Sequence, residues 1–159
     1  MKEKKAAGFK KKLALSVTVL SLVMLYYCYR KIPSPPDIHE AMATYDRLIL
    51  KTDADSIALL YMGDGELGNK VQGRDSIRKF LQQFKNFKVL EQHSTIDSLS
   101  LDQDTGYMSG RYHQRVIVPV QDSLDPQHKH DTVTVNGKYS SVWIRLPEYG
   151  WKIKRMETK

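Results

Sequence analysis

The sequence predicts an α+β domain carried behind one membrane-spanning helix, and three observations lead to this fold class. Residues 13–29 form an uncharged, largely apolar run. Residues 37–87 carry apolar side chains at three- and four-residue spacing, whereas from Lys88 onward the apolar side chains alternate along the chain. Helical spacing that is followed by strand spacing indicates a group of helices before an antiparallel sheet, which is an α+β arrangement.

The net charge of the chain lies at its N-terminus. The 159 residues carry a formal charge of +7. Residues 1–31 hold eight basic residues and one acidic residue, so the remainder of the chain is neutral. A neutral domain lacks the electrostatic attraction that nucleic-acid binding uses, so we expect no nucleic-acid partner. A single cysteine excludes a disulfide scaffold.

The uncharged run at residues 13–29 predicts a transmembrane signal anchor. As a helix it is roughly 25 Å long, near the lower limit for crossing a bilayer. Six lysines precede it and three tyrosines lie near its end, which places the N-terminus in the cytoplasm and the domain outside it. A cleaved signal peptide, a lipoprotein signal at Cys28 and a buried core helix are the alternatives. Bulky residues around Cys28 and the lysine flank disfavour them.

The anchor divides the chain into four segments. Prolines at positions 33, 35 and 36 favour a stiff, extended spacer between anchor and domain. The predicted segments are a cytoplasmic basic tail at 1–12, the anchor at 13–29, a proline-rich linker at 30–36 and the domain at 37–159.

Within the domain, three helices are predicted to precede four long strands. Asp37 is a good N-cap for the first helix, and Thr52 or Asp53 for the second. The predicted helices cover residues 37–51, 53–62 and 77–87, with an irregular or strand-like stretch at 66–71. The predicted strands cover residues 89–101, 105–118, 131–146 and 151–156, with a polar hairpin loop at 119–130.

Several short motifs resemble those of a known superfamily. Residues 58–61 (Ala-Leu-Leu-Tyr) close the second predicted helix, and residues 73–77 (Gly-Arg-Asp-Ser-Ile) open the third. Residues 104–112 resemble a characteristic third strand, and residues 137–143 with 150–153 resemble a closing hairpin. In order and spacing, these motifs resemble the nuclear-transport-factor-like, SnoaL-like superfamily over about residues 37–157.

The resemblance implies a cone-shaped domain in which three N-terminal helices pack into the concave side of a curved antiparallel sheet. It implies an internal pocket but no single activity, because the superfamily includes isomerases, cyclases, dehydratases, transport factors and ligand binders. Members often dimerise through the outer face of the sheet, so the resemblance also implies a homodimer through that face.

Alternation along the predicted strands selects the residues that line such a pocket. On the strand at 105–118, the face that carries the glycines is the more apolar one and is predicted to point inward, which leaves Arg111, His113 and Arg115 outside. Aromatic side chains with a few hydroxyls are typical of small-ligand sites, although the same side chains can simply fill the core. The predicted lining residues are Tyr45, Tyr61, Met108, Tyr112, Gln114, Tyr139, Trp143 and Trp151.

His93, Asp97 and Tyr112 are the candidate catalytic residues if the domain is an enzyme. A histidine titrates near neutrality, and an aspartate can orient or charge it. Along one strand His93 and Asp97 are about 13 Å apart, so each needs a partner from another element. Val89 and Leu99 share their face, which is compatible with an inward orientation, but an exposed or hydrogen-bonded His93 is the more common arrangement. We expect no metal and no cofactor.

Two hypotheses about function follow. The first is a membrane-anchored, extracytoplasmic module that binds a small amphipathic ligand or a protein partner without catalysis. The alternative is a cofactor-independent acid–base enzyme of the isomerase, cyclase or dehydratase type that acts on a hydrophobic small molecule. A pocket acid or base with a perturbed pKa distinguishes the two.

Overall fold

The computed structural model describes residues 37–119 and 130–159. The predicted anchor at 13–29, the linker and most of the hairpin loop lie outside the described residues. Within the described ranges, the helices are all too short or too polar to cross a membrane.

The described part of the domain contains three helices, as predicted. They are α1 (Ile38–Lys51), α2 (Ala54–Leu60) and α3 (Arg74–Gln82). The second ends two residues earlier than predicted, because the backbone at Tyr61 is already extended and enters a strand. The third ends five residues earlier, and residues 83–86 form turns before the sheet resumes.

Six strands form one sheet. They are β1 (Tyr61–Leu67), β2 (Val71–Gln72), β3 (Lys88–Asp102), β4 (Thr105–Pro119), β5 (His130–Leu146) and β6 (Gly150–Thr158). Their order across the sheet is β2-β1-β6-β5-β4-β3. The four long strands form the antiparallel meander that alternation predicts.

The sheet is mixed, which corrects the prediction of a wholly antiparallel one. Strand β1 pairs in parallel with β6, with Tyr61 beside Ile153 and Leu67 beside Met156. The segment that forms β1 contains two glycines and does not alternate, so the sequence pattern indicated a turn there. Asp64 and Glu66 lie on this strand, where they pair with Lys154 at 2.6 Å and Arg155 at 2.8 Å.

The core lies between the three helices and one face of the sheet. The buried apolar side chains that form it come from all three helices and from β1, β4, β5 and β6. Trp143 is fully buried, and its indole nitrogen donates a 2.9 Å hydrogen bond to the hydroxyl of Ser141, which is also buried. This bond satisfies the polar atom that a buried tryptophan carries.

Two β-bulges interrupt the pairing of β3 with β4. The register shifts between Val89 and Glu91 and again between Ile96 and Ser98. Each extra residue exchanges the two faces of the strand that follows. Between the bulges, the even-numbered residues from 92 to 96 are therefore partly buried, whereas the odd-numbered ones are exposed.

Candidate functional site

A cavity of about 390 Å³ lies between the helices and the inner face of the sheet. Met42, Tyr45 and Ile49 of α1 form one side, and β4 and β5 supply much of the opposite side. Apolar side chains make up most of its lining. Pockets of this size and composition bind drug-sized organic ligands.

Three phenylalanines form an aromatic wall at the C-terminal end of α3. Phe80 and Phe84 meet edge to face with ring centroids 5.3 Å apart, and Phe84 and Phe87 repeat this arrangement at the same distance. All three line the cavity. The turns at residues 83–86 allow this wall, because they carry Phe87 out of the helix and onto the start of β3.

Four valines line the opposite part of the cavity. Val116 and Val118 lie on β4, and Val133 and Val135 lie on β5 beside them. Val133 and Val135 are 39% and 36% exposed, which is unusual for such a side chain. The partly exposed valines indicate that the cavity opens to solvent here.

Gln92 and Ser94 supply polar groups to the cavity wall, and Asp46 of α1 holds both. The Asp46 carboxylate accepts hydrogen bonds from the Ser94 backbone N–H at 2.8 Å, the Ser94 hydroxyl at 2.7 Å and the Gln92 side-chain amide at 2.9 Å. These three bonds fix α1 against β3 and orient the two polar side chains. Asp46 itself is not a lining residue.

Three tyrosines add hydroxyl groups to the lining. Burial raises the pKa of Tyr45 to about 12; contact with the Tyr61 hydroxyl opposes this rise, and the Asp46 charge adds to it. Burial, followed by the charges of Asp46 and Asp97, raises the pKa of Tyr139 to about 12. Both phenols are therefore neutral at physiological pH and act as hydrogen-bonding groups.

Glycines on β4 and β5 make room for two of these rings. Tyr112 lies over Gly137, its partner on β5, where a Cβ atom would approach the ring to 2.6 Å. Tyr139 lies in the same way over Gly110 of β4. The rings thus lie flat against the sheet, which leaves space between them and the helices.

The structure does not bring the three candidate catalytic residues together. His93 is exposed opposite His113, and Asp97 is exposed and accepts hydrogen bonds of 3.0 and 2.9 Å from Arg111. Only Tyr112 lines the cavity. Of the two orientations considered, the structure shows the exposed one for His93 and Asp97, because the two bulges turn this part of β3 over, while Val89 and Leu99 beyond the bulges stay partly buried.

The basic row on β4 lies on the outer face of the sheet, as alternation predicts. Arg111 pairs with Asp97, and Arg115 pairs with Glu91 at 2.7 Å. His113 contacts the Asn136 side-chain oxygen at 2.8 Å through its Nδ1 atom. Such exposed cross-strand pairs contribute little to stability, because solvent screens their charges.

The predicted lining residues divide into two groups. Tyr45, Tyr112, Gln114 and Tyr139 line the cavity. The other four are buried in the core and do not line the cavity: Tyr61, Met108, Trp143 and Trp151.

Sequence reasoning missed several lining residues for two reasons. Gln92 and Ser94 were not considered, because strict alternation ignores the bulges that place them on the inner face. In the sequence, the phenylalanines of the aromatic wall and the two valines of β5 are recognisable only as apolar residues. No sequence pattern distinguishes an apolar residue that lines a cavity from one that fills a core. The alternation of valines with Thr132, Thr134 and Asn136 was the signal that marked an inward face on β5.

Among the described lining residues, tyrosine is the sole ionisable type. The lining contains no described aspartate, glutamate, histidine, lysine, arginine or cysteine. The described residues likewise contain no group of three or more acidic, histidine or cysteine side chains placed to hold a metal ion. The arrangement can enclose an apolar body and offer neutral hydrogen-bonding groups to it.

A family model for the SnoaL-like domain matches residues 31–157. The chain belongs to the SnoaL-like domain family. This match covers nearly all of the predicted domain and confirms the resemblance seen in the short motifs. The predicted anchor lies outside the matched residues. No curated protein matches the chain.

Solved structures share the fold of this SnoaL-like domain. A nuclear transport factor 2-like superfamily protein from Salmonella enterica has a TM-score of 0.58 at 15% identity, covering 77% of this chain and 87% of its own. A candidate scytalone dehydratase from Novosphingobium aromaticivorans has a TM-score of 0.59 at 19% identity, with coverages of 77% and 80%. A ketosteroid isomerase-like protein from Erwinia carotovora has a TM-score of 0.56 at 14% identity, with coverages of 76% and 91%.

These identities are low, so the likeness shows the fold of the SnoaL-like domain. The names of the three proteins span transport, dehydration and isomerisation. The fold therefore occurs in proteins named for different activities, and function has to be argued from the cavity itself.

Proposed function

We propose that this SnoaL-like domain binds a small, largely apolar ligand in its cavity and does not catalyse a reaction on it. The observation that carries the proposal is the composition of the lining. An aromatic wall and four valines surround neutral hydrogen-bonding groups, without a described acid or base among them.

Acid–base catalysis requires a group whose pKa lies near the working pH and which reaches the substrate. Tyr45 and Tyr139 are poor candidates because burial raises both their pKa values to about 12. His93 and Asp97 lie on the far side of the sheet. The isomerase or dehydratase alternative would therefore need a catalytic group from outside the described lining.

The proposal includes a location. An uncharged run at residues 13–29 with a lysine-rich flank supports a single anchor that holds the domain outside the cytoplasm. The ligand would then be a molecule met on that side of the membrane.

The proposal is tested with the full chain in lipid nanodiscs and the neutral fluorescent probe N-phenyl-1-naphthylamine. Val135→Glu places a carboxylate at the opening of the cavity, and we expect it to weaken probe binding on the order of tenfold, because the charge would lose hydration when the probe enters. Probe fluorescence as a function of protein concentration, corrected for empty nanodiscs, measures this.

Thr134→Glu is the matched control. Thr134 is the exposed neighbour of Val135 on the opposite face of β5, so the same charge is added without touching the cavity. Equal binding by the wild type and both variants would contradict the proposal, as would wild-type fluorescence no higher than that of empty nanodiscs.

A further inference from the structure

The cavity wall at Gln92 and Ser94 has a carboxylate directly behind it. Asp46 binds both side chains at distances between 2.7 and 2.9 Å, yet it is not a lining residue. Only the side chains of Gln92 and Ser94 thus separate its carboxylate from a ligand at this wall. Asp46 is also only partly buried.

The hydrogen bonds to Asp46 determine which atoms remain for a ligand. A serine hydroxyl has one proton, and the Ser94 proton is used at 2.7 Å on Asp46. The Gln92 amide nitrogen donates to the same carboxylate at 2.9 Å and to the Ser94 hydroxyl oxygen at 3.5 Å, so its carbonyl oxygen is the atom left for the cavity. This wall therefore presents oxygen atoms that accept hydrogen bonds.

The remainder of the described lining offers no positive charge. Lysine, arginine and histidine are absent from it, and its other polar members are the tyrosines, two threonines and Gln114, all neutral. Charges interact strongly through such an apolar environment. An anionic ligand would lose its hydration, gain no described cation and meet the charge of Asp46.

The tyrosines of the lining already respond to this charge. Asp46 contributes to the raised pKa of both Tyr45 and Tyr139, after the larger effect of burial. The field that disfavours a phenolate at these positions would disfavour a ligand carboxylate in the same space. A cationic ligand would gain from Asp46 but would lose its hydration against the phenylalanine and valine walls.

From this geometry we propose that the cavity selects uncharged ligands whose polar end donates hydrogen bonds, such as an alcohol or a primary amide, and excludes carboxylates. The inference rests on the proposed binding function and adds the chemical class of the ligand. In the bound state, the ligand's O–H or N–H donates to the oxygens of Gln92 and Ser94, and its apolar body lies against the aromatic wall.

Three probes that share one ring system test the inference. The full chain in nanodiscs is titrated at pH 7 with 2-naphthalenemethanol, 2-naphthoate and 2-naphthylmethylammonium by isothermal titration calorimetry, with empty nanodiscs subtracted. We expect the alcohol to bind at least about tenfold more tightly than either ion. Binding of 2-naphthoate or the ammonium as tight as that of the alcohol would overturn the inference.

Asp46→Asn tests the origin of the selectivity. The substitution keeps the size of the side chain and removes its charge, so we expect the alcohol-to-carboxylate ratio of affinities to fall by about tenfold. Asp102→Asn removes an exposed carboxylate at the end of β3 and should leave the ratio unchanged. If a folded Asp46→Asn variant kept the wild-type ratio of affinities, the selectivity would not depend on the charge of Asp46, and the role proposed for Asp46 would be wrong.

Ser94→Ala provides a second test should Asp46→Asn fail to fold. It removes one accepting oxygen and retains the bond from the residue-94 backbone N–H to Asp46. We expect weaker binding of the alcohol with no change for 2-naphthoate. The two proposals fail differently: if none of the three probes binds, the proposed function is wrong, whereas tight binding of 2-naphthoate refutes only the ligand class.

Discussion

Gly110 on β4 lies where the sheet has room for a hydrogen atom but not for a side chain. A Cβ atom there would collide with the carbonyl oxygen of Thr95 on β3 and lie 2.9 Å from the ring of Tyr139. The two strands that flank β4 thus both approach this glycine. Because Tyr139 also lines the cavity, the glycine contributes to the shape of the site as well as to the packing of the sheet.

Gly110→Ala is expected to destabilise the domain by about 1–3 kcal/mol, the usual cost of forcing an extra carbon into a packed region. The free energy of unfolding from urea denaturation measures the effect. Gly63→Ala is the control, because a Cβ atom at Gly63 would meet nothing within 4 Å. Comparable stability of the two variants would show that β3 and Tyr139 move aside without cost.

Residue-level prediction from the sequence succeeded where alternation is unbroken. It placed Tyr112 and Gln114 on the inner face of β4 and Arg111 on the outer face, as the structure has them. It left the orientation of His93 open, because one unpaired residue at each bulge reverses the faces and leaves no mark in the hydropathy pattern. Predicting the cavity was harder still, since apolar residues around a void and around a core look alike in sequence.

At the scale of elements, α2 is a helix of seven residues that is held from outside at both ends. At its start, the Asp53 carboxylate accepts a 3.0 Å hydrogen bond from the Ser56 N–H. Beyond its end, Lys152 of β6 donates to the Leu59 carbonyl oxygen at 3.0 Å, and Arg74 donates to that of Tyr61 at 2.8 Å. These bonds satisfy backbone groups that a short helix leaves free.

The N-cap of α2 makes the stability of the domain depend on pH. The hydrogen bonds from Ser56 lower the pKa of Asp53 below its usual 3.8, so its stabilising effect is present above that pH and is lost as the pH falls through the lowered value. We expect Asp53→Ala to be less stable than the wild type at pH 7 and the difference to shrink as the pH falls below 3.8. Denaturation curves across this range measure it.

Asp53→Asn is the matched control, because asparagine caps a helix about as well but does not titrate. Its difference from Asp53→Ala should therefore stay constant over the same pH range. A wild type that keeps its full advantage over Asp53→Ala in strong acid would show that the carboxylate charge has no part in the cap.

The sequence predicted the elements of the meander closely, because strong alternation and clear turn residues delimit β3 to β6. Each of these strands lies within two residues of its predicted bounds. The partner of β1 could not be predicted, since β6 lies far along the chain and the parallel pairing leaves no local pattern. The hydrogen bonds that Lys152 and Arg74 donate at the end of α2 could not be predicted either, because they join residues on different elements and leave no local sequence pattern.

At the scale of the whole molecule, the neutral domain and the basic N-terminal segment are expected to have separate tasks. The described core is formed by residues between 38 and 156. Solved structures below 20% identity share the fold, because the pattern of inward and outward positions, and not residue identity, specifies it. We expect the anchor to determine where the cavity is displayed.

We predict that residues 13–29 hold the chain in the membrane. Leu20→Arg places a charge near the centre of the run and should shift the protein from the carbonate-resistant membrane fraction toward the carbonate-soluble fraction. Leu20→Ala should remain in the membrane, because alanine is tolerated there. Complete release of the wild type by alkaline carbonate would show that the run does not span the bilayer.

The two bulges of β3 affect the tendency of the domain to aggregate at high local concentration. Among the described strands, β3 is the outermost on its side of the sheet, and it presents 15 residues of backbone along that edge. A straight edge of that length would invite pairing with the same strand of a neighbour, the first step toward fibrillar aggregates. The bulges break the even spacing that such pairing needs. The irregularities that obscured the site in the sequence should therefore also disfavour edge-to-edge pairing of β3 between two molecules.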